Sequence, residues 1–228
     1  MLRKLASDIA TRRKDRRRAM GRDIVTPAGR RRAWWQMMLA DHGILRIWWT
    51  NFDEVAPGVY RSNHPPHARL EAYRDMGIRG VLNLRGTPQM SHHLFEVESC
   101  KALGLDLVSV ALHARAPAPR QMLLDLFAAF DSITRPFVMH CKSGADRAGL
   151  AAALYLLDQG ASVDDARRQL SFRYLHLRFT RTGVQDHLLD LYEERLTRGP
   201  IPIRDWIATE YDPAALAASF ARQPRLPI

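Results

Sequence analysis

From Val55 onward, short apolar runs of strand length alternate with longer segments of helical period, and this alternation constrains the chain more than any other feature. Residues 58–61 read as a strand and 66–76 as a helix. Residues 81–84 form a buried strand, and a helix over 91–103 stops at Gly104. A strand at 107–112 leads through the loop 113–119 into a helix over 120–130. A strand at 136–140, a tight turn at 141–144 and a strongly apolar helix at 147–157 complete the series. Residues up to about Leu196 read as helical with breaks at Gly160 and Gly183; 199–228 are Pro-punctuated around a helix at 213–221. Strands separated by helices predict an α/β fold of three layers, a mostly parallel central sheet flanked by helices. The expected organisation is an arm over residues 1–50 and a domain over 51–228, with its core at 55–196 and an extension at 197–228.

A chain of 228 residues is long enough to bury a self-sufficient core. Its two cysteines, Cys100 and Cys141, are too few for a disulfide framework, so a reducing compartment is expected. The longest apolar run, 150–157, is far short of a membrane span. These features predict a cytoplasmic protein. The net charge of +10 is not spread evenly. Residues 1–35 hold 12 Lys or Arg against 3 Asp or Glu, whereas the rest holds 22 against 21. Leu2, Leu5 and Ile9 share a helical stripe ahead of the basic run from Arg12 to Arg18, and four of the five tryptophans fall between Trp34 and Trp49. Basic residues beside Trp and Leu predict contact with an anionic membrane surface, peripheral at its inner face. Nucleic acid is not the expected partner. Trp48 and Trp49, which run into the domain, are expected to pack on it; Trp34 and Trp35 fit either reading.

The chemistry concentrates where strand, turn and buried helix meet, at His140-Cys141-Lys142-Ser143-Gly144-Ala145-Asp146-Arg147. A loop between a strand end and a helix N-terminus turns successive N–H groups inward, and the helix dipole adds positive potential. The result is an anion cradle in which a cysteine is favoured as the thiolate. Arg147 supplies a planar fork for two phosphate oxygens. A thiolate, a phosphate cradle and a bidentate Arg point to phosphoryl transfer through a cysteinyl-phosphate.

His-Cys-x5-Arg on strand, loop and helix resembles the signature of the protein tyrosine phosphatase superfamily, and the small body looks like its dual-specificity branch, of bacterial type. Val59-Tyr60-Arg61-Ser62 and Val81-Leu82-Asn83-Leu84-Arg85 are similar to opening strands of that branch. The resemblance implies Cys141 as nucleophile and Arg147 as ligand of the phosphoryl oxygens. The amides of Lys142, Ser143, Gly144 and Ala145 would complete the cradle, and His140 would orient the loop. It also implies that neither a metal nor another cofactor is required. The substrate would be a phosphorylated protein or a phospholipid, lipid A included.

Two departures matter. Ala148 stands where the family usually has Ser or Thr, whose hydroxyl eases departure of the thiolate, and the loop 113–119 lacks the family's acidic residue. Asp146 is similar to the carboxylate that precedes the signature Arg in myotubularin-like lipid phosphatases, and is the candidate general acid. Its alternative is a helix N-terminal acid stabilised by the dipole. His113 is the second candidate acid. Lys142 is similar to loop basic residues of relatives that accept highly phosphorylated lipids or inositols, with a solvated Lys as its alternative. Arg85 and Arg115 are candidates for the pocket mouth or for surface charges. Cys100 is expected to be a core thiol. His64, His67, His92 and His93 are expected to be solvated or capping, and Asp190, Glu193 and Glu194 a solvated helix face. The opposing reading is a catalytically weak phosphate-binding scaffold.

Overall fold

The computed structural model describes residues 22–86 and 88–223, so the stripe at Leu2, Leu5 and Ile9 and the basic run from Arg12 to Arg18 lie outside the described residues. Five strands form one sheet in the order β1-β2-β5-β3-β4. They are β1 (Asp53–Ala56), β2 (Val59–Ser62), β3 (Gly80–Asn83), β4 (Asp106–Ser109) and β5 (Phe137–His140). Only the β1–β2 hairpin is antiparallel, turning through Pro57-Gly58; the other three pairings are parallel. Central β5 is buried at all four positions, as expected of a strand covered on both faces.

Alternation along the central strands divides the core. Val81 and Val138 face α2 (His67–Asp75) and α3 (Ser91–Leu103), packing with Leu70, Tyr73, Ile78, Cys100 and Leu105. Leu82, Phe137 and Met139 face the opposite layer, formed by α4 (Arg120–Ser132), α5 (Asp146–Asp158) and the C-terminal helices. Within α5, residues 148–155 are all buried, which explains the unbroken apolar text at that point. The extension belongs to this layer. Of α7 (Val184–Leu196), α8 (Ile203–Thr209) and α9 (Pro213–Ala221), α8 buries Trp206 and Ile207 and α9 buries Leu216. A short α6 (Val163–Arg167) bridges α5 and α7.

Residues 22–50 of the arm lie against this body. Helix α1 (Pro27–Trp35), N-capped by Thr26, buries Ala33, and Arg30 pairs with Glu98 on α3. A π-helical turn at Gln36–Ala40 and a 3-10 turn at Gly43–Arg46 follow. The expectation that Trp48 packs on the body is corrected: it is 80% exposed, while Trp49 is half-buried and donates to Asn51. No helix among the described residues is long and apolar enough to cross a membrane.

Candidate active site

The register of the parallel strands assembles the site. His140, the last residue of β5, lies opposite Ser62 on β2 and Asn83 on β3, so the loops after all three strands emerge together. Residues 141–145 join β5 to α5, and their carbonyls are held from outside the loop. Lys142 O accepts from the His64 amide (3.4 Å) and Ser143 O from Asn51 Nδ2 (2.9 Å). Arg61 Nη2 donates to Gly144 O (2.5 Å) and Ala145 O (3.3 Å). In a trans peptide the C=O and the next N–H point in opposite directions. Four carbonyls drawn outward therefore turn the amides of residues 143–146 toward the concave side, a nest continuous with the N-terminus of α5. The Ala145 amide also lies 3.3 Å from Ser143 Oγ.

Two residues make this loop possible. Gly144 has φ +76°, and a Cβ there would sit 2.8 Å from the Asn63 amide nitrogen and the Ser62 carbonyl carbon, so no side chain fits. Arg61 is fully buried. Besides the two loop carbonyls it donates to Gln169 O and Oε1, both at 2.7 Å, and it lies 3.6 Å over the Tyr174 ring. Burial pulls this guanidinium down to about 10, partly opposed by the charges of Tyr174 and Cys141. A buried Arg in the middle of a strand reads as part of the strand pattern, so its hold on a loop 83 residues away is invisible in the sequence.

Cys141 is buried at the loop's start, 1% exposed. Arg147, one residue into α5, donates to Leu84 O at 3.4 Å, and its Nε is buried with no hydrogen-bond partner. It lines a cavity of about 570 Å³ together with Arg85, His92 and Arg22. Arg85 and Lys142 both meet an acidic residue of the arm. Asp41 accepts two hydrogen bonds from Arg85 (2.7 and 3.0 Å) and one from Arg46 (2.9 Å), and Lys142 Nζ is 3.4 Å away. Burial would raise the Asp41 carboxyl, but Arg85 and Arg46 hold it well below the usual carboxylate range. Arg85, Lys142 and the arm's own Arg46 thus converge on one carboxylate of the arm, a contact between residues 41 and 85 that no sequence pattern announces.

Asp146 is not a free N-terminal acid. Its Oδ1 lies 2.8 Å from His176 Nδ1, and His176 Nε2 lies 2.6 Å from Asp186 Oδ2. His176 and Asp186 are 3% and 2% exposed. Burial would lower the imidazole, but hydrogen bonds to Asp146 and then Asp186 carry it up to about 9, so it is an imidazolium at neutral pH. Neither partner is marked in the sequence. The helical reading of residues 171–183 is corrected to 3-10 turns at Phe172–Tyr174 and Arg181–Gly183 joined by irregular chain that carries His176. Asp186 on α7 meets it only through the fold. The other proposed acid, His113, is exposed in its loop, and Arg115 beside it is exposed too.

The opposite flank corrects a second expectation. His64 and His92 are not solvated: they are 4% and 5% exposed. His64, Glu96 and His140 form a buried cluster, with His140 Nε2 2.6 Å and His64 Nδ1 3.7 Å from Glu96 Oε1. Burial holds His64 well below the ordinary histidine range, and Glu96 does not reverse that. Glu96 Oε2 accepts from Asn83 Nδ2. His93 is half-buried, and His67 is exposed as expected. Cys100 is a core thiol, pushed up to about 12 by burial. Asp190 is half-buried, bonded by Arg167 and Arg178, and Glu193 accepts from Arg167 as well, so the helix face that carries them is not simply solvated.

A five-stranded, mostly parallel sheet with a Cys-x5-Arg loop at its carboxyl end defines a phosphatase domain of the dual-specificity type within the protein tyrosine phosphatase superfamily. Residues 50–184 match the family described as "Swiss Army Knife protein, DSP-PTPase phosphatase domain", and the chain belongs to that family. Among solved structures, it resembles a DUF442 protein from Shewanella putrefaciens CN-32 assigned as a phosphatase. The identity is 18% and the TM-score 0.53, over 67% of this chain and 95% of that one. It is also similar to the core catalytic domain of the PP-IP phosphatase SIW14 from S. cerevisiae, at 19% identity and TM-score 0.49, over 65% and 91% of the two chains. At such identities the first likeness speaks for the fold alone. A search of curated proteins returns no match.

Proposed function

We propose that the chain hydrolyses phosphomonoesters through a cysteinyl-phosphate. The observation that carries this reading is Cys141 buried at the start of a loop whose carbonyls at 142–145 are bonded by groups outside it, with the buried, unpaired Nε of Arg147 at the loop's far end. A buried N–H without a partner is costly, by about 1–3 kcal/mol, and a phosphoryl oxygen would satisfy it. Sulfur of Cys141 attacks phosphorus as the P–O ester bond breaks, and the leaving oxygen takes a proton from Asp146. Arg147 and the amides of residues 143–146 hold the equatorial oxygens. Water then attacks phosphorus and gives its proton to the Asp146 carboxylate, the P–S bond breaks, and inorganic phosphate leaves. His176, 2.8 Å from Asp146 Oδ1, holds that carboxyl at the loop for both halves. With Ala148 in place of a hydroxyl, thiolate departure rests on the loop amides.

The substrate is read as a phosphate carried at an anionic membrane surface. Trp34, Trp35, Leu39, Ile44, Leu45, Ile47 and Trp48 are all large, apolar and exposed, and they lie on the same arm whose Asp41 reaches the site mouth. Apolar side chains next to Arg30, Arg31 and Arg32 have the composition of an interfacial segment.

The test is phosphate release in EDTA from an aryl phosphate, a phosphotyrosine peptide and a phosphate-bearing lipid in anionic vesicles. Wild type should release phosphate, fastest from the vesicles, and Cys141→Ser should lose roughly a thousandfold or more. Preference for the peptide would move the substrate to phosphoproteins. No release from any of the three would make the chain a phosphate-binding module.

A further inference from the structure

On another flank of the phosphate loop, three buried side chains present polar atoms to one another at ion-pair distance but without hydrogen-bond geometry. His64 Nδ1, Glu96 Oε1 and His140 Nε2 are each buried and lack a hydrogen-bond partner. The side chains are 4%, 0% and 0% exposed. His140 Nε2 is only 2.6 Å from Glu96 Oε1, yet the two are out of line for a hydrogen bond. All three ligand atoms lie within 4.8 Å of one another. Orphaned buried polar atoms are rare because each costs the desolvation of a group that gains nothing in return. Three in one place, each a metal-ligand atom, call for a common partner at the point where they converge.

We propose that His64, Glu96 and His140 bind one divalent first-row transition ion, of the zinc class. Two imidazoles and one carboxylate are an ordinary ligand set for such an ion. The surroundings supply what a metal site needs beyond its ligands. The other oxygen of Glu96 is held by Asn83 Nδ2. The other ring nitrogen of His140 lies 3.4 Å from Cys141 O, which orients the ring. A cavity of about 620 Å³ between α1, α2 and α3 is lined by His64, His92 and Glu96, giving an ion and a fourth, water ligand a way in. The ion ties α3 and the loop after β2 to the end of β5, one residue before Cys141. It braces the phosphate loop and takes no part in the transfer itself, so it stands whether or not the proposed hydrolysis does.

The experiment is metal analysis of the purified full chain after exposure to Zn²⁺ and extensive dialysis, followed by titration of metal-free protein with Co²⁺ while recording visible absorption. One equivalent of retained metal is expected, with cobalt d–d bands of a four- or five-coordinate site. Glu96→Gln and His64→Gln should each weaken Co²⁺ binding at least tenfold, both checked by circular dichroism for native secondary structure. Retention well below one equivalent with no cobalt bands would overturn the proposal. Binding unchanged in both folded variants would overturn it too, by showing that the ion sits elsewhere. Neither readout depends on phosphatase activity.

Discussion

Two histidine networks flank the same loop and reach opposite states. On one side a single imidazole, His176, lies between two carboxylates and is carried up to about 9. On the other a single carboxylate, Glu96, faces His64 and His140, and burial keeps His64 well below the ordinary range. Both histidines are almost fully buried. Two things differ: His64 is set deeper, beside Arg85 and two further histidines, with one carboxylate to offset its desolvation, whereas His176 has hydrogen bonds to two carboxylates. The charge of a buried histidine is thus decided by depth and partners together. A cation is thereby fixed beside Asp146, and a neutral donor on the flank of His140.

The sharpest way to break this contrast is Asp146→Ala. It should lower kcat on an alkyl phosphate by roughly 10²–10³-fold and less on an aryl phosphate, whose leaving group needs little protonation. Equal losses on both substrates would mean that Asp146 only holds the loop.

Next in size is the stability held by His176. A rise from 6.5 to about 9 corresponds to roughly 3 kcal/mol. Because the folded value lies above the unfolded one, this stability is fully present below about pH 6.5 and is lost as pH rises through about 9. Denaturant unfolding should therefore find His176→Asn markedly less stable than wild type at pH 6, and the gap much reduced at pH 10. A gap independent of pH would show that His176 is not charged.

Asp186→Asn should act more mildly, lowering kcat about tenfold with little change in KM, because it removes one support of His176 and leaves Asp146 in place. A change confined to KM would assign the pair to substrate binding instead. Smallest of all, Trp48→Ala should shift stability by less than about 0.5 kcal/mol, since the residue is 80% exposed. It should still reduce sedimentation with anionic vesicles; unchanged sedimentation would remove this tryptophan from the proposed membrane contact.

Much of the fold could be read in advance where local pattern and tertiary role agree. The helix over 91–103 has the bounds read for it, because Gly104 in the left-handed conformation stops it. The helix at 213–221 likewise matches, with Asp212 capping its first amides. The hairpin strand β1 was missed because Asp53-Glu54-Val55-Ala56 has no burial alternation: Glu54 is exposed and the other three are half-buried. The arm helix was missed because its Arg-rich text follows no apolar stripe.

By itself the sequence determined the order of the strands and helices from residue 58 to 157, the loop at 140–147 and the local charge of the arm. Each of these is written within a window of some ten residues, where period, glycine and charge act on their immediate neighbours. Only the tertiary structure decided what holds that loop. Arg61 ties its carbonyls, Asp41 sits on Arg85 and Lys142, His176 and Asp186 hold Asp146, and Glu96 faces His140. Apart from His176 and Asp186, which are ten residues apart, these partners are 30 to more than 100 residues apart, and the parallel register of β2, β3 and β5 brings the loop ends together. Contacts closed over such distances carry no local period, so their chemistry could be found only by folding the chain.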